Sequence, residues 1–314
     1  MVAAHGALAG AQAGDEPALG GSSMPYGAFD RLPTERIDVG DAVIRVGFGP
    51  GRFDLSRERL LAYVRLAARS VITYFGRFPA RETRLLILAT TSPGRAVRSG
   101  TAFGYSGAAI KLTLAESVTE ADLERDWILV HEMSHLALPS LPRRQHWFEE
   151  GMASYAEPLA RAQAGVLAIE PVWAGMLNGM PFGLPQSGDR GLDYTPTWGR
   201  TYWGGALFCL LADVQMRERG TVTRGLQHAL RAILAHGNME TDSAIEPLLH
   251  IGDAAVGVPV LAELYERMKG EPYPVDLDAL WRSLGVRQDD QRVVFDDTAP
   301  LAAVRRALTQ PYVA

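Results

Sequence analysis

The chain has 314 residues, 47% of them hydrophobic, so it can bury a full core without covalent or metal staples. Its net charge of −5 argues against nucleic acid or an anionic membrane surface as the main partner. The single cysteine, Cys209, excludes an intrachain disulfide; set in the apolar run 206–211, it reads as a small core residue. That run lies between Arg200 and Asp213 and is too short to cross a bilayer, so no transmembrane segment is expected.

Residues 1–24 are rich in Ala and Gly and carry no periodicity, which predicts a disordered leader or the remnant of a signal. Val2 to Ala13 resembles the tail of a secretory signal, with a small-x-small site at Ala11-Gln12-Ala13, but no Lys or Arg precedes it. The compartment therefore leans toward export, periplasmic or secreted, with the cytoplasm as the other reading. Order is predicted from about Ile37. Asp41 to Phe48 alternates as a strand, and Ser56 to Phe75 is a helix with Leu60, Val64, Ala67 and Val71 on one stripe. Arg84 to Thr90 reads as a buried strand, Gly94 to Gly107 as a loop or hairpin, and Ala109 to Leu114 as a second strand. Thr119 with Asp122 then forms a variant capping box, predicted to open the next helix.

That helix carries His131-Glu132-Met133-Ser134-His135, an HExxH pentapeptide. With about 3.6 residues per turn, side chains four apart superpose on one face, so both imidazoles can grip one Zn2+. Glu132 is rotated about 100° around the axis and is free to act as general base on a water that the metal activates. The flanking runs Trp127 to Val130 and Leu136 to Leu138 are apolar. Three ionisable groups in one turn of such a helix are expensive unless a metal or a partner compensates them. Leu138 and Leu141 stand where a metzincin would have its glycine and third histidine, which excludes that class. A catalytic site needs three protein ligands with one position left for water, so a glutamate on a second helix is the obvious third. Pro139 and Pro142 stop the first helix, and a second is predicted to start near Trp147.

The segment Trp147-Phe148-Glu149-Glu150-Gly151-Met152-Ala153-Ser154-Tyr155 resembles the WxxEGxAxY segment of the gluzincin peptidases, whose zinc is held by two His and one Glu. In that segment the Glu before Gly is the ligand, which falls on Glu150; Glu149 is the weaker candidate. Arg200 to Leu207, with Tyr202-Trp203-Gly204-Gly205-Ala206 inside it, is similar to the YxxGA segment of aminopeptidase N-type and glycyl aminopeptidase-type enzymes. The resemblance implies that Tyr202 hydrogen-bonds the oxyanion of the tetrahedral intermediate. Tyr74 to Pro79 followed by Arg84 to Leu88, and Gly205 to Gly220, also look like the glycyl aminopeptidases. Glu157, seven residues past Glu150, falls where those families have an acidic residue and is expected to orient a ligand histidine.

These resemblances imply an α+β fold of thermolysin-like zincin type: a small mixed sheet plus helices, then a mostly helical C-terminal lobe, with zinc in the cleft. The expected division is a leader over 1–24, a subdomain with both metal-binding helices over 25–160 and a helical subdomain over 161–314. In the last, helices are predicted over 206–219, 223–235, 258–269, 277–284 and 299–308. Two departures stand out. Aminopeptidase N-type enzymes carry a Gly-x-Met-Glu-Asn segment whose Glu holds the substrate amine; the corresponding stretch here, Gly104 to Ile110, has no acidic residue. The large N-terminal β domain and C-terminal PDZ module of glycyl aminopeptidases have no counterpart either, so a stand-alone peptidase domain is expected.

The expected function is a zinc-dependent peptidase with one Zn2+ per chain, a peptide or protein substrate, and Glu132 as general base. Whether it cuts internally or from an end is open, as is the oligomeric state. The alternative is a catalytically inactive zinc-containing binding module. The intact Glu132, and the lack of a Cys to close a fourth metal position, argue against it. His146 reads as an exposed loop histidine, and Gly175 to Pro196, rich in Gly and Pro, as a rim of the substrate cleft.

Overall fold

A computed structural model of the chain describes residues 19, 21–290 and 292–310. Most of the segment expected to be a leader lies outside the described residues. Five strands, β1 (Thr34–Val39), β2 (Ala42–Phe48), β3 (Glu82–Thr90), β4 (Val97–Phe103) and β5 (Ala109–Ala115), form one mixed sheet in the order β1-β2-β3-β5-β4. Pairings β2–β3 and β3–β5 are parallel, whereas β1–β2 and β4–β5 are antiparallel. The parallel pair β2–β3 needs a long crossover. Past the short α1 (Tyr26–Phe29), helix α2 (Arg57–Phe75) supplies it, capped by Ser56 at one end and by left-handed Gly76 at the other. Its predicted stripe Leu60, Val64, Ala67 and Val71 is fully inside the core.

The central β3 is a continuous apolar run because both of its faces are covered. Leu85 and Ile87 face α2 and the main core. Leu86 faces a second cluster made with Leu19, Met24, Phe29 and Ala109. This corrects the expectation that order begins near Ile37. Leu19 and Met24 are buried, and the Lys111 ammonium donates to the Ser23 carbonyl at 3.1 Å. The sheet's second face is apolar and needs a cover, which isolated apolar residues provide without any periodic signal. Of the two readings of 94–107, loop or hairpin, the hairpin is the one observed. Ser99-Gly100-Thr101 offers little β signal, yet 97–103 is the edge strand, held antiparallel to β5.

The chain continues as α3 (Glu120–Glu124), α4 (Ile128–His135), α5 (His146–Gln163) and α6 (Ile169–Gly179). A π-helical turn, Gly199–Gly204, leads into α7 (Gly205–Arg219). After it come α8 (Leu226–His236), α9 (Ile245–Val256), α10 (Val260–Met268) and α11 (Leu277–Leu284), the hairpin β6 (Val286–Asp289) with β7 (Arg292–Phe295), and α12 (Ala302–Thr309). Helices α6 and α9 escape prediction; each carries a proline in its first turn, Pro171 and Pro247, where a missing N–H costs nothing. One apolar core cluster runs from Ile37 to Leu308, so the sheet and the helical lobe share it.

Candidate metal centre

Helix α4 does not start at the predicted capping box. Thr119 and Asp122 do form that box, but it opens the short α3. Asp126 opens α4 instead: its carboxylate accepts from the N–H groups of Ile128 and Leu129, each at 3.1 Å, and from the Tyr63 hydroxyl. Helix α5 then returns across α4, and α7 crosses α5 at two glycines. A β-carbon on Gly151 would lie 2.2 Å from the Gly205 carbonyl carbon, so only glycine permits this approach. The crossing sets Glu150, one residue before Gly151, beside Tyr202 of the π turn. Turns of this kind recur at functional sites.

The two helices bring His131, His135 and Glu150 together, all buried. His131 Nε2 lies 3.1 Å from His135 Nε2, and Glu150 Oε2 lies 3.2 Å and 3.4 Å from those two nitrogens. A tetrahedral Zn2+ with bonds of about 2.0–2.1 Å holds its donors about 3.3 Å apart. The three donor atoms therefore already sit at the corners of one face of such a tetrahedron. This is the only such group among the described residues.

The electrostatics favour a cation at the same point. Burial alone would lift Glu150, but the hydrogen bonds of both histidines hold its carboxyl well below the usual range. Burial disfavours charge on His135, yet the hydrogen bond and charge of Glu150 outweigh it and lift the group to about 9. Burial lowers His131, whose Nδ1 has no hydrogen-bond partner among the described residues.

Glu132 lies beside the triad and packs against Gly100 of β4. Burial raises its pKa, while the Ala102 backbone N–H donates to the carboxylate. Half-buried Tyr202 stacks 6.4 Å from His131, ring centre to ring centre. Burial and then the charge of Glu150 lift its hydroxyl to about 12, so it remains a donor at any ordinary pH.

Three expectations change here. His146 is not a loop residue but the first residue of α5. Its Nδ1 lies 3.0 Å from Glu149 Oε2, within hydrogen-bond reach, and its Nε2 comes within 3.4 Å of Glu150 Oε1. The i, i+4 spacing to Glu150 is legible once α5 is known to begin one residue earlier. Glu149 is no ligand: its other oxygen accepts from the Leu141 N–H at 2.9 Å, which ties α5 to the loop after α4. Glu157 does not touch either histidine; its carboxylate pairs with Arg161 at 2.9 Å. The edge strand packed against Glu132 lies upstream of the stretch 104–110 matched to the amine-holding segment. It is β4, and Gly104 to Gly107 forms the turn into β5.

No known protein family is matched by the sequence, and no curated protein is detectably similar to it. Solved structures are. An aminopeptidase N family protein from Idiomarina loihiensis superposes with a TM-score of 0.61 at 14% identity, over 83% of this chain and 51% of that one. An M1 zinc metallopeptidase from Deinococcus radiodurans gives 0.50 at 16% identity, over 77% and 52%. The chain has the fold of the aminopeptidase N-type zinc peptidases. It spans about half the length of those two structures. The expected architecture, a small mixed sheet followed by a mainly helical part, is the one observed.

Proposed function

We propose that the chain is a zinc-dependent peptidase. The observation that carries this reading is the His131–His135–Glu150 face, with Glu132 set between it and an edge strand. When bound, Zn2+ supplies a Lewis acid and brings the pKa of water to about 7. The edge of β4 opposite β5 has unpaired backbone groups that can hold an extended peptide as a further strand. Glu132, its pKa raised by burial, accepts the proton of the attacking water and passes it to the leaving amine. Tyr202 donates its hydroxyl to the carbonyl oxygen as negative charge develops there. His146, hydrogen-bonded to Glu149 and 3.4 Å from Glu150 Oε1, supports Glu150 electrostatically. Among the described residues no helix is long and apolar enough to cross a membrane.

The test is hydrolysis of a quenched peptide library by the protein loaded with one equivalent of Zn2+. Cleavage is expected, and the fragments distinguish internal from terminal cutting. Tyr202→Phe should lose about 100-fold or more in kcat with its zinc retained. Zinc binding without cleavage of any peptide favours the binding-module reading instead.

A further inference from the structure

A cavity of about 690 Å³ opens directly beside the triad, with His131 and Tyr202 in its wall. It falls within the range of about 300–1,000 Å³ usual for ligand pockets. It runs away from the metal-binding face between α5, α6 and the π turn. Trp127, Met176, Met180, Trp198 and Trp203 give its wall a mostly aromatic and thioether surface. At the mouth, Trp198 is 61% exposed and Phe182, 58% exposed, packs against it edge-on at 5.8 Å. Exposed aromatic surface continuous with a pocket marks a binding site for something apolar.

The charged groups of the wall are already committed. Glu157 and Arg161 are hydrogen-bonded to each other at 2.9 Å, and the second arm of Arg161 donates to the Glu124 carbonyl at 3.2 Å. Arg95, exposed at the rim and 6.0 Å over the Trp127 ring, adds a positive charge that disfavours a basic residue. The methionines adapt to varied ring shapes, and the tryptophans offer flat faces for them.

We infer that this cavity selects the substrate: it takes an aromatic or large aliphatic side chain from the residue flanking the scissile bond. The inference rests on the peptidase reading, because His131 in the wall fixes how close that residue lies to the cut. Gly175 of α6 provides the test. It is exposed at the edge of the cavity it lines, and a β-carbon there meets nothing within 4 Å, so a larger side chain fits there without a clash and narrows the cavity entrance. A leucine there is also better tolerated by the helix than glycine.

Cleavage sites of the wild type should show at least about tenfold preference for Phe, Tyr, Trp, Leu or Met over Gly and Ala at one position beside the cut. Gly175→Leu should reduce that ratio severalfold while zinc content stays the same. A wild-type profile without this preference, or a preference that Gly175→Leu leaves intact, overturns the inference. A second measurement separates its failure from that of the peptidase reading. Zinc-loaded Glu132→Gln protein is titrated with capped tripeptides carrying central phenylalanine or central glycine, read by the fluorescence of the pocket tryptophans. If no peptide is cleaved, the peptidase reading falls and this titration alone judges the pocket. Tenfold tighter binding of the phenylalanine peptide, lost on adding Gly175→Leu, supports it; equal binding of the two overturns it.

Discussion

Gly100 of the edge strand and Glu132 of the metal helix are in such close contact that a β-carbon at position 100 would lie 2.5 Å from Glu132 Cγ. The same atom would lie 2.7 Å from Ile128 Cγ2, on the preceding turn of α4. Strand and helix are therefore pressed together at the residue proposed as general base. Any side chain at 100 has to push Glu132 aside.

Gly100→Val should consequently separate metal binding from turnover. The backbone of α4 and the proposed ligands His131, His135 and Glu150 do not contact Gly100 in the way the Glu132 side chain does, so one zinc per chain is expected to remain. Displacing a catalytic group by about 1 Å costs on the order of 100-fold, and kcat should fall by about that factor. Full activity in Gly100→Val would mean that Glu132 works from a position other than the one it occupies against β4.

His146→Ala should weaken zinc rather than the chemistry. It removes a positive neighbour 3.4 Å from Glu150 Oε1 and the hydrogen bond to Glu149 next to it, which loosens the start of α5 around Glu150. Loss of such a supporting contact lowers metal affinity by about 10–100-fold, measurable by competition with a chromogenic chelator. Unchanged affinity would reduce His146 to a cap on α5.

Asp126→Ala should loosen the metal helix from its N-terminal end. The carboxylate closes two otherwise unpaired N–H groups and the buried Tyr63 hydroxyl. Losing a cap and stranding a hydroxyl costs about 1–3 kcal/mol, read as a lower midpoint in urea unfolding. Tyr63→Phe, which keeps the cap, should cost less.

Glu157 predicts a pH dependence of stability. Burial outweighs the attraction of Arg161 and lifts this carboxyl to about 7. The folded state thus holds a proton more tightly than the unfolded chain, whose Glu titrates near about 4.3. Stability from this group is complete below the unfolded value and is lost as pH rises toward 7. Relative to Glu157→Gln, which cannot titrate, the wild type should lose melting temperature between pH 5 and pH 8. A difference that is flat with pH, or that grows in favour of the wild type, would show that Arg161 dominates and keeps Glu157 ionised.

The parts of this site that were legible in sequence are those held by one helix at fixed spacing. His131, Glu132 and His135 follow from the geometry of a single turn, and Glu150 and Tyr202 from short segments anchored by the Gly151–Gly205 contact. The strands β2, β3 and β5 were readable because their burial leaves continuous or alternating apolar residues. Strand β4 was not: it is an edge strand with Gly100 where a packing residue would otherwise be, since Glu132 fills that space. The role of Asp126 was hidden because α3 and α4 run together in sequence, and the stronger capping signal at Thr119 belongs to the shorter helix. The second face of the sheet was missed because Leu19, Met24 and Phe29 cover it from a segment without periodicity.

The proposed hydrolysis depends on Glu132 together with His131, His135 and Glu150. The most direct measurement is zinc content and peptide hydrolysis for the wild type and Glu132→Gln, side by side. One zinc per chain in both, with hydrolysis present in the wild type and lost by at least about 1,000-fold in the variant, is the predicted result. Wild-type protein that takes up no zinc after reconstitution, or a variant that hydrolyses peptides as well as the wild type, would contradict it.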